Sequence, residues 1–409
     1  MKKAILILAV FGTAFCYAQS VNNVTQTGVN NVADAAQTGL NKYSYVVQEG
    51  DDNKVKVRQG FGDAASINEY SNVTQKGNKN TSEVVQDGTK DRVYQLQNGN
   101  ENTLDAKQAV GVSENLINQR QYGGKNNATA LQEKSKRNKI YQYQRGTSNN
   151  ANAKQEKATT SSISQTQFGL SNEVYALQSG ELENGTIYQY QNGTKNRAYA
   201  KGYDDSHYIR QVQYGKYNYA FGHDTGIVNR IDQYQSGERN NAGAYHFLGR
   251  RNNIVQNQIG NENKANGYQN RGSFNSIEQV QRVYKNKAEA NQVAGVSNKI
   301  KQLQSGSQNN VVGKQYFGRA NSIEQVQYGN LNIARAIQGS DKLTAGTKAI
   351  QYQRGVRNVS SMTQDGILNY GRSQQIGTAN SHSLLQNGNL LSSTSIQTGT
   401  GNVAIISMF

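Results

Sequence analysis

The fold is decided by the stretch Asn321-Ser-Ile-Glu-Gln-Val-Gln327, followed by Tyr328-Gly-Asn-Leu331 and then Asn332-Ile-Ala-Arg-Ala-Ile-Gln338. Each seven-residue half alternates with a period of two, the periodicity of a β-strand. In the first half Asn321, Ile323, Gln325 and Gln327 share one face, and Ser322, Glu324 and Val326 share the other. In the second half Asn332, Ala334, Ala336 and Gln338 share a face, leaving Ile333, Arg335 and Ile337 opposite. Gly329 lies between the halves and supplies the positive φ that a tight turn needs. The unit is therefore strand, turn, strand.

The unit recurs along nearly the whole chain. Its anchor is the glutamine two residues before the turn glycine, found at Gln26, Gln48, Gln75, Gln97, Gln121, Gln144, Gln167, Gln191, Gln213, Gln235, Gln258, Gln281, Gln304, Gln327, Gln353, Gln375 and Gln397, which makes 17 copies. The step is usually 22 or 23 residues, with longer steps into Gln75 and Gln353 that read as bulged loops through Gly60 to Glu69 and Gly339 to Gly346. Five residues after every anchor stands an asparagine; in the regular middle these are Asn102, Asn126, Asn149, Asn172, Asn196, Asn218, Asn240, Asn263, Asn286, Asn309 and Asn332. Four residues before the anchor, ten successive copies carry isoleucine: Ile117, Ile140, Ile163, Ile187, Ile209, Ile231, Ile254, Ile277, Ile300 and Ile323. Towards the ends this position becomes Asn22, Ser44, Ser71 and Val93, or Ala349, Gly371 and Ser393. A second glutamine, 11 residues after the anchor, appears in 13 of the 17 copies, and the turn glycine fails once, at Val283.

A fixed period of this length replaces the two or three globular domains expected for 409 residues with a one-dimensional stack. The sequence predicts an all-β protein, a parallel β-solenoid of about 17 strand-turn-strand repeats whose two parallel sheets face each other over residues 19–409. Proline, which cannot donate to a ladder, is absent. Tryptophan is absent too, and apolar residues make up only 35%, a composition close to that of disordered Gln/Asn-rich chains. Disorder, however, does not keep polar residues in phase.

Burying glutamine and asparagine requires partners, since an unpaired buried amide costs about 1–3 kcal/mol. Parallel turns stacked about 4.8 Å apart place each amide over its counterpart, so that an NH2 donates to the carbonyl of the neighbouring turn. The doubled motif Gln-x-Gln occurs at 12 consecutive turns from Gln95 to Gln353. Isoleucine and small alanines such as Ala288 and Ala290 supply a thin apolar core between the amide columns. Such a stack exposes an unpaired ladder at each end. Neither end carries a helix pattern, a proline or a dense charge cluster to blunt it, and the last turn presents Val403, Ile405 and Phe409. The expectation is a polymerising subunit whose first partner is another copy of itself.

At these residues the chain resembles the curlin repeat family, the subunits of curli amyloid fibres on Gram-negative bacteria. The family's Ser/Asn, inner Gln, Asn, Ala and closing Gln are matched by Asn275, Gln281, Asn286, Ala288 and Gln292, with Val283 in place of the turn glycine in this copy, and by the corresponding residues of other copies. The likeness spans about residues 20 to 409. It implies a β-solenoid that polymerises as functional amyloid in biofilm matrix and serves cell adhesion. It also implies export through a dedicated outer-membrane secretion channel and nucleation by a companion curlin subunit. Two alternatives are carried: a minor, nucleating subunit, or a non-polymerising solenoid adhesin binding acidic polysaccharide.

The amino terminus agrees with export. Met1-Lys-Lys, an apolar run from Ala4 to Phe15 and Cys16-Tyr-Ala18 read as a secretory signal over residues 1–18, too short to span a membrane stably. Cys16 is the only cysteine and lies inside that signal, so the mature chain forms no disulfide. The formal charge of +16 is scattered over outward positions and turns, with clusters such as Lys134, Lys136, Arg137 and Lys139. It keeps the precursor soluble or attracts acidic polysaccharide, lipid head groups or extracellular DNA, although no sequence-reading nucleic-acid module is present.

No enzymatic chemistry is expected. No nucleophile elbow, phosphate loop or zinc-protease motif occurs, the acids are dispersed, and no catalytic residue, metal or cofactor is assigned. His207, His223, His246 and His382 lack ligand spacing, and His207 and His223 fall in turns near acids. The second glutamine column breaks at Gly202, Asp224 and His246, where either a buried Asp–His pair or a bent, loosened segment is expected. The 25 tyrosines fall largely on outward positions, where stacking predicts ring ladders.

Overall fold

A computed structural model describes residues 20–61, 66–340 and 343–409. The signal reading over residues 1–18, with Cys16, lies outside them. Every regular element among the described residues is a β-strand. The chain divides into two compact units, Met1–Ser171 and Asn172–Phe409, and each is a parallel β-solenoid of two facing sheets.

In the first unit one sheet pairs Val21–Thr27, Tyr43–Glu49, Tyr70–Lys76, Arg92–Asn100, Leu116–Gly124, Lys139–Thr147 and Ser162–Leu170 in that order. The facing sheet pairs Val32–Gln37, Lys54–Gln59, Thr81–Gln86, Thr103–Gln108, Asn127–Glu133 and Asn150–Thr159. In the second unit one sheet runs from Thr186–Thr194 to Ser392–Thr400 and the other from Glu173–Glu183 to Val403–Met408, again parallel throughout.

Register puts like over like. Ile117 pairs with Ile140 and Ile140 with Ile163; Gln281 pairs with Gln304 and Gln304 with Gln327. Because side chains alternate along a strand, a slip by one residue would carry every buried glutamine into water, so the pattern itself enforces the register. The strand Ser322–Asn330 shows the alternation: Ile323, Gln325 and Gln327 are fully buried while Ser322, Glu324 and Val326 are half-buried.

The sheets lie close because small residues face large ones. All ten isoleucines of the column are fully buried, opposite alanines such as Ala288 and Ala290. Where glycine replaces the alanine, a Cβ at Gly222 would stand 2.9 Å from Cγ2 of Ile209, and one at Gly313 would stand 3.0 Å from Cγ2 of Ile300. The turn glycines have a second reason to be glycine. Gly146 has φ +126°, and a Cβ there would collide with the carbonyl oxygen of Gly169 in the next turn. Stacking distance, as well as φ, therefore excludes a side chain. Val283 takes that place in one copy at φ 83° with its side chain half out in solvent.

Candidate functional site: the amide ladders and their open edges

The anchor glutamines from Gln48 to Gln397 are buried inside, while Gln26, on the edge strand, is exposed. Within each unit an anchor donates its side-chain amide to the carbonyl of the anchor one turn on: Gln26 to Gln48 at 2.6 Å, Gln97 to Gln121 at 3.2 Å and Gln121 to Gln144 at 2.7 Å in the first unit. In the second unit Gln191 donates to Gln213, Gln235 to Gln258, Gln281 to Gln304 and Gln304 to Gln327 at 2.7–3.0 Å. The direction never reverses among the described bonds.

The same amide makes a second bond that the sequence did not suggest. Gln121 Nε2 donates to the backbone carbonyl of Thr103 at 2.9 Å, and Gln281 Nε2 to that of Lys264 at 2.9 Å. These acceptors lie on the facing sheet, one turn earlier. Each anchor thus clamps sheet to sheet as well as turn to turn, and an amide can do both because its NH2 carries two protons. The inner Gln of Gln-x-Gln behaves alike: Gln279 Nε2 donates to Gln302 and to the Asn266 carbonyl. So does the column 11 residues on, where Gln59 bonds Gln86 and the Tyr43 carbonyl.

The asparagines do something different. The backbone N–H and Nδ2 of Asn126 both donate to Oδ1 of Asn102, at 3.1 Å each, and Nδ2 also donates to the carbonyl of Gly146 at 2.9 Å and, within its own turn, to that of Tyr122 at 3.4 Å. The arrangement repeats from Asn286 to Asn309 and from Asn309 to Asn332. The side chain therefore satisfies turn backbone that no strand partner reaches. Glutamine is one methylene too long for this position.

A second asparagine column runs along the opposite edge: Asn229, Asn252, Asn275, Asn298 and Asn321, linked by N–H to Oδ1 bonds of 2.8–3.0 Å. In the first unit it includes Asn115 and Asn138. Below Asn115 the column turns ionic. Lys42, Glu69 and Asp91 occupy it, all fully buried. Lys42 Nζ lies 2.7 Å from Glu69 Oε2 and donates to Ser66 Oγ at 2.7 Å, while Ser66 donates to Glu69 Oε1 at 2.6 Å. Burial raises the Glu69 carboxyl above its usual range, against the bonds from Lys42 and Ser66. Burial likewise pushes Asp91 up to about 7, helped by the Glu69 charge.

The break in the second glutamine column is repaired on one side only. His207 lies in the connection after Asp204, as expected, but it is buried there, because the missing side chain of Gly202 leaves room for its ring: a Cβ at Gly202 would strike His207 Nε2. His223, also expected in a turn, lies instead within the strand Tyr219–Ile227, where period-two alternation continues. Nε2 of His207 lies 3.3 Å from Gln178 Nε2, and burial lowers the histidine's pKa. Asp224 and His246 form a buried pair with Nδ1 3.8 Å from Oδ2. The segment is not loosened. Strand pairing continues through it with one register shift between Thr225 and Ile227, and the glutamine ladder resumes from Gln269 to Gln292.

Outward tyrosines do not form long ladders. They make short tilted runs such as Tyr175, Tyr199 and Tyr219, with ring centroids 6.3 and 5.8 Å apart, because the outward positions vary from turn to turn. Among the described residues no group of three or more His, Cys, Asp or Glu is placed to hold a metal ion, and no helix is long and apolar enough to cross a membrane.

At the edges, Val21–Thr27 pairs with Tyr43–Glu49 and Ser392–Thr400 pairs with Tyr370–Thr378; neither has a second partner among the described residues. Val403, Ile405 and Phe409 are 69–81% exposed. Compared with protein-family models and with curated proteins, the chain matches none.

Proposed function

We propose that this chain is a structural subunit of an extracellular, curlin-like functional amyloid fibre that grows end to end by continuing its own β-ladders. The observation that carries this reading is the polarity of the anchor column. Gln26 donates forward to Gln48, and its own carbonyl accepts no bond among the described residues. Gln397 receives the bond from Gln375 and donates to the Ser381 carbonyl, and its amide meets no further glutamine among the described residues. One edge offers an acceptor and the other a donor, at the same place in the unit, so a second copy extends the column without a change of direction. Such a contact is heterologous and does not close on itself, the condition for a filament.

The apolar residues of the last rung support the same reading, since an exposed, flat, hydrophobic strand is a template for another chain. The remaining elements rest on the curlin resemblance: display on the surface of a Gram-negative bacterium, passage through an outer-membrane secretion channel, a companion subunit for nucleation, and service in adhesion and biofilm matrix. The test is to incubate the purified mature chain and follow thioflavin fluorescence and fibre diffraction. Fibres with a meridional spacing of about 4.8 Å are expected. A chain that stays monomeric for days, with no such spacing, overturns the proposal.

A further inference from the structure

The edge of the second unit that carries Asn229, Asn252, Asn275, Asn298 and Asn321 inward also presents an outer side that takes no part in the ladders. Over five successive turns, at the connections leading back from the alanine-bearing sheet, it exposes large apolar side chains: Val228, Leu248, Phe274, Val296 and Phe317 are each 42–59% exposed. Ile227 and Phe247 flank them, equally bare. Interspersed are four exposed arginines, Arg250, Arg251, Arg271 and Arg319. No acid lies on this edge between Thr225 and Ala320; Asp204 and Asp205 stand one turn before it, and Asp224 is buried inward.

The edge is hydrogen-bonded from turn to turn, and its columns mix the two chemistries. Backbone bonds link Phe274 to Arg250, Arg271 to Phe247 and Phe317 to Val293 at 2.9–3.0 Å. Parallel bridges join Arg250, Ser273, Val296 and Arg319 in turn. The Arg251 guanidinium lies 5.5 Å from the centre of the Phe274 ring. The backbone adds a further sign. Val228, Leu248, Phe274 and Phe317 sit in the left-handed region, at φ 57°, 50°, 59° and 39°. Bulky and β-branched residues adopt that conformation at a cost that Asn or Gly avoids. Exposed apolar side chains are thus held where polar ones would fold more easily.

We infer that this edge is a docking surface for an anionic lipid layer, with the Phe, Leu and Val side chains entering the headgroup–acyl boundary and the arginines paired to phosphates. Charge decides between occupants. A second copy would bring arginine against arginine, whereas a phosphorylated lipid surface complements both the charge and the apolar strip. At the adjoining strand ends Lys299 adds to the positive field, while Arg230 is paired with Asp232, which Arg210 also neutralises, and Lys314 lies 3.6 Å from Glu289. At about 4.8 Å per turn the strip is about 20 Å long. The inference does not depend on the fibre reading, since the edge runs along the stack and is equally bare in one copy or many.

The test is vesicle flotation with the full-length mature chain, using phosphatidylcholine vesicles with and without phosphatidylglycerol, and dextran sulfate as a soluble polyanion. Two variants separate the contributions: Leu248→Asn/Phe274→Asn/Phe317→Asn, which suits the left-handed backbone and keeps the fold, and Arg250→Glu/Arg251→Glu/Arg271→Glu/Arg319→Glu. Arg239→Glu/Lys285→Glu on the opposite edge is the control. Each arginine near an anionic surface contributes roughly fivefold in partitioning. The expected result is binding to anionic vesicles only, reduced more than about tenfold by the Asn variant, lost in the Glu variant and unchanged in the control. The inference is overturned if wild-type chain binds neither vesicle, or both equally, or if the Asn variant binds as wild type. It is also overturned if dextran sulfate binds with the same variant dependence as the vesicles in the Glu set and the Asn set has no effect. Copy-to-copy pairing that the Asn variant abolishes in the absence of lipid has the same consequence.

Discussion

Asp91 stands under Asn115 in the edge column of the first unit, its Oδ1 accepting the Asn115 backbone N–H at 2.9 Å while its Oδ2 is buried without a hydrogen-bond partner. One turn higher, Asn115 uses Nδ2 in the equivalent position to donate to the Ser135 carbonyl at 3.0 Å. The counterpart carbonyl for Asp91 is that of Val112, and both it and Oδ2 crowd the space beside Gly88. An ionised Asp91 therefore faces an acceptor with an acceptor, whereas a protonated one donates as asparagine does.

The pH dependence follows from that geometry. Asp91 is raised to about 7 in the folded chain, from about 4 when unfolded. The folded state binds the extra proton, so stability of the first unit falls as pH rises from about 4 to about 7 and is level above that, with a limiting slope of about 1.4 kcal/mol per pH unit. The groups facing Asp91, Lys42 and Glu69, set the remainder of the local charge. Asp91→Asn is expected to flatten this dependence and to stabilise the unit at neutral pH by about 1–3 kcal/mol. Urea unfolding at several pH values, with hydrogen exchange of Arg92–Asn100, checks it; an unchanged pH profile in the variant contradicts the assignment.

His382 gives the opposite sign at the far end of the second unit. It is buried beside Ser360, with Nε2 unpartnered, and burial holds its pKa down to about 4. Here the unfolded state binds the proton first. Stability of the last turns is therefore lost as pH falls from about 6.5 towards 4. Exchange at Ser381–Asn387 should quicken over that interval in the wild type and much less in His382→Ala.

Removing one anchor should cost far more than its neighbour on the strand. Gln281→Ala takes the acceptor from Gln258 and the donors from Gln304 and the Lys264 carbonyl. The expected loss is roughly 2–4 kcal/mol, against less than about 0.5 kcal/mol for outward Glu278→Ala. Chemical denaturation measures both. In the fibre assay, Gln281→Ala/Gln304→Ala should slow growth more than changes at outward Glu278 and Lys301; equal effects would contradict the inward assignment.

Val283 offers a gain. It is a β-branched residue at φ 83° in a column of glycines. Val283→Gly should stabilise the second unit by about 1 kcal/mol, while Gly146→Ala, whose Cβ meets the Gly169 carbonyl, should destabilise the first by more than that. Thermal melting of the two variants checks the signs.

The architecture was legible because its driving pattern is one-dimensional. Alternation gave the strands, the recurring Gln, Asn and Ile gave the turn length, and the identity of the columns gave the parallel in-register stack. What was not legible depended on the third dimension. Nothing in the spacing of Lys42, Glu69 and Asp91 distinguishes them from scattered surface charges, yet all three are fully buried; lining them up with Asn115 and Asn138 in the repeat would have found the column. His207 is a turn residue as read, but its burial was not legible, because the void beside Gly202 that draws it inward exists only once the turns are stacked.

By itself, then, the sequence determined the period, the inner faces and the direction in which copies pile, since these follow from which side chains water accepts at alternate positions. Only the tertiary structure decided that the anchor glutamines tie both sheets together, that asparagine caps turn backbone, and that Gln26 donates to a neighbouring anchor while Gln397 only accepts from one. The reason is physical: a side-chain amide has two protons and two lone pairs, and their partners are set by the positions of atoms from three different turns, which no single copy of the repeat contains.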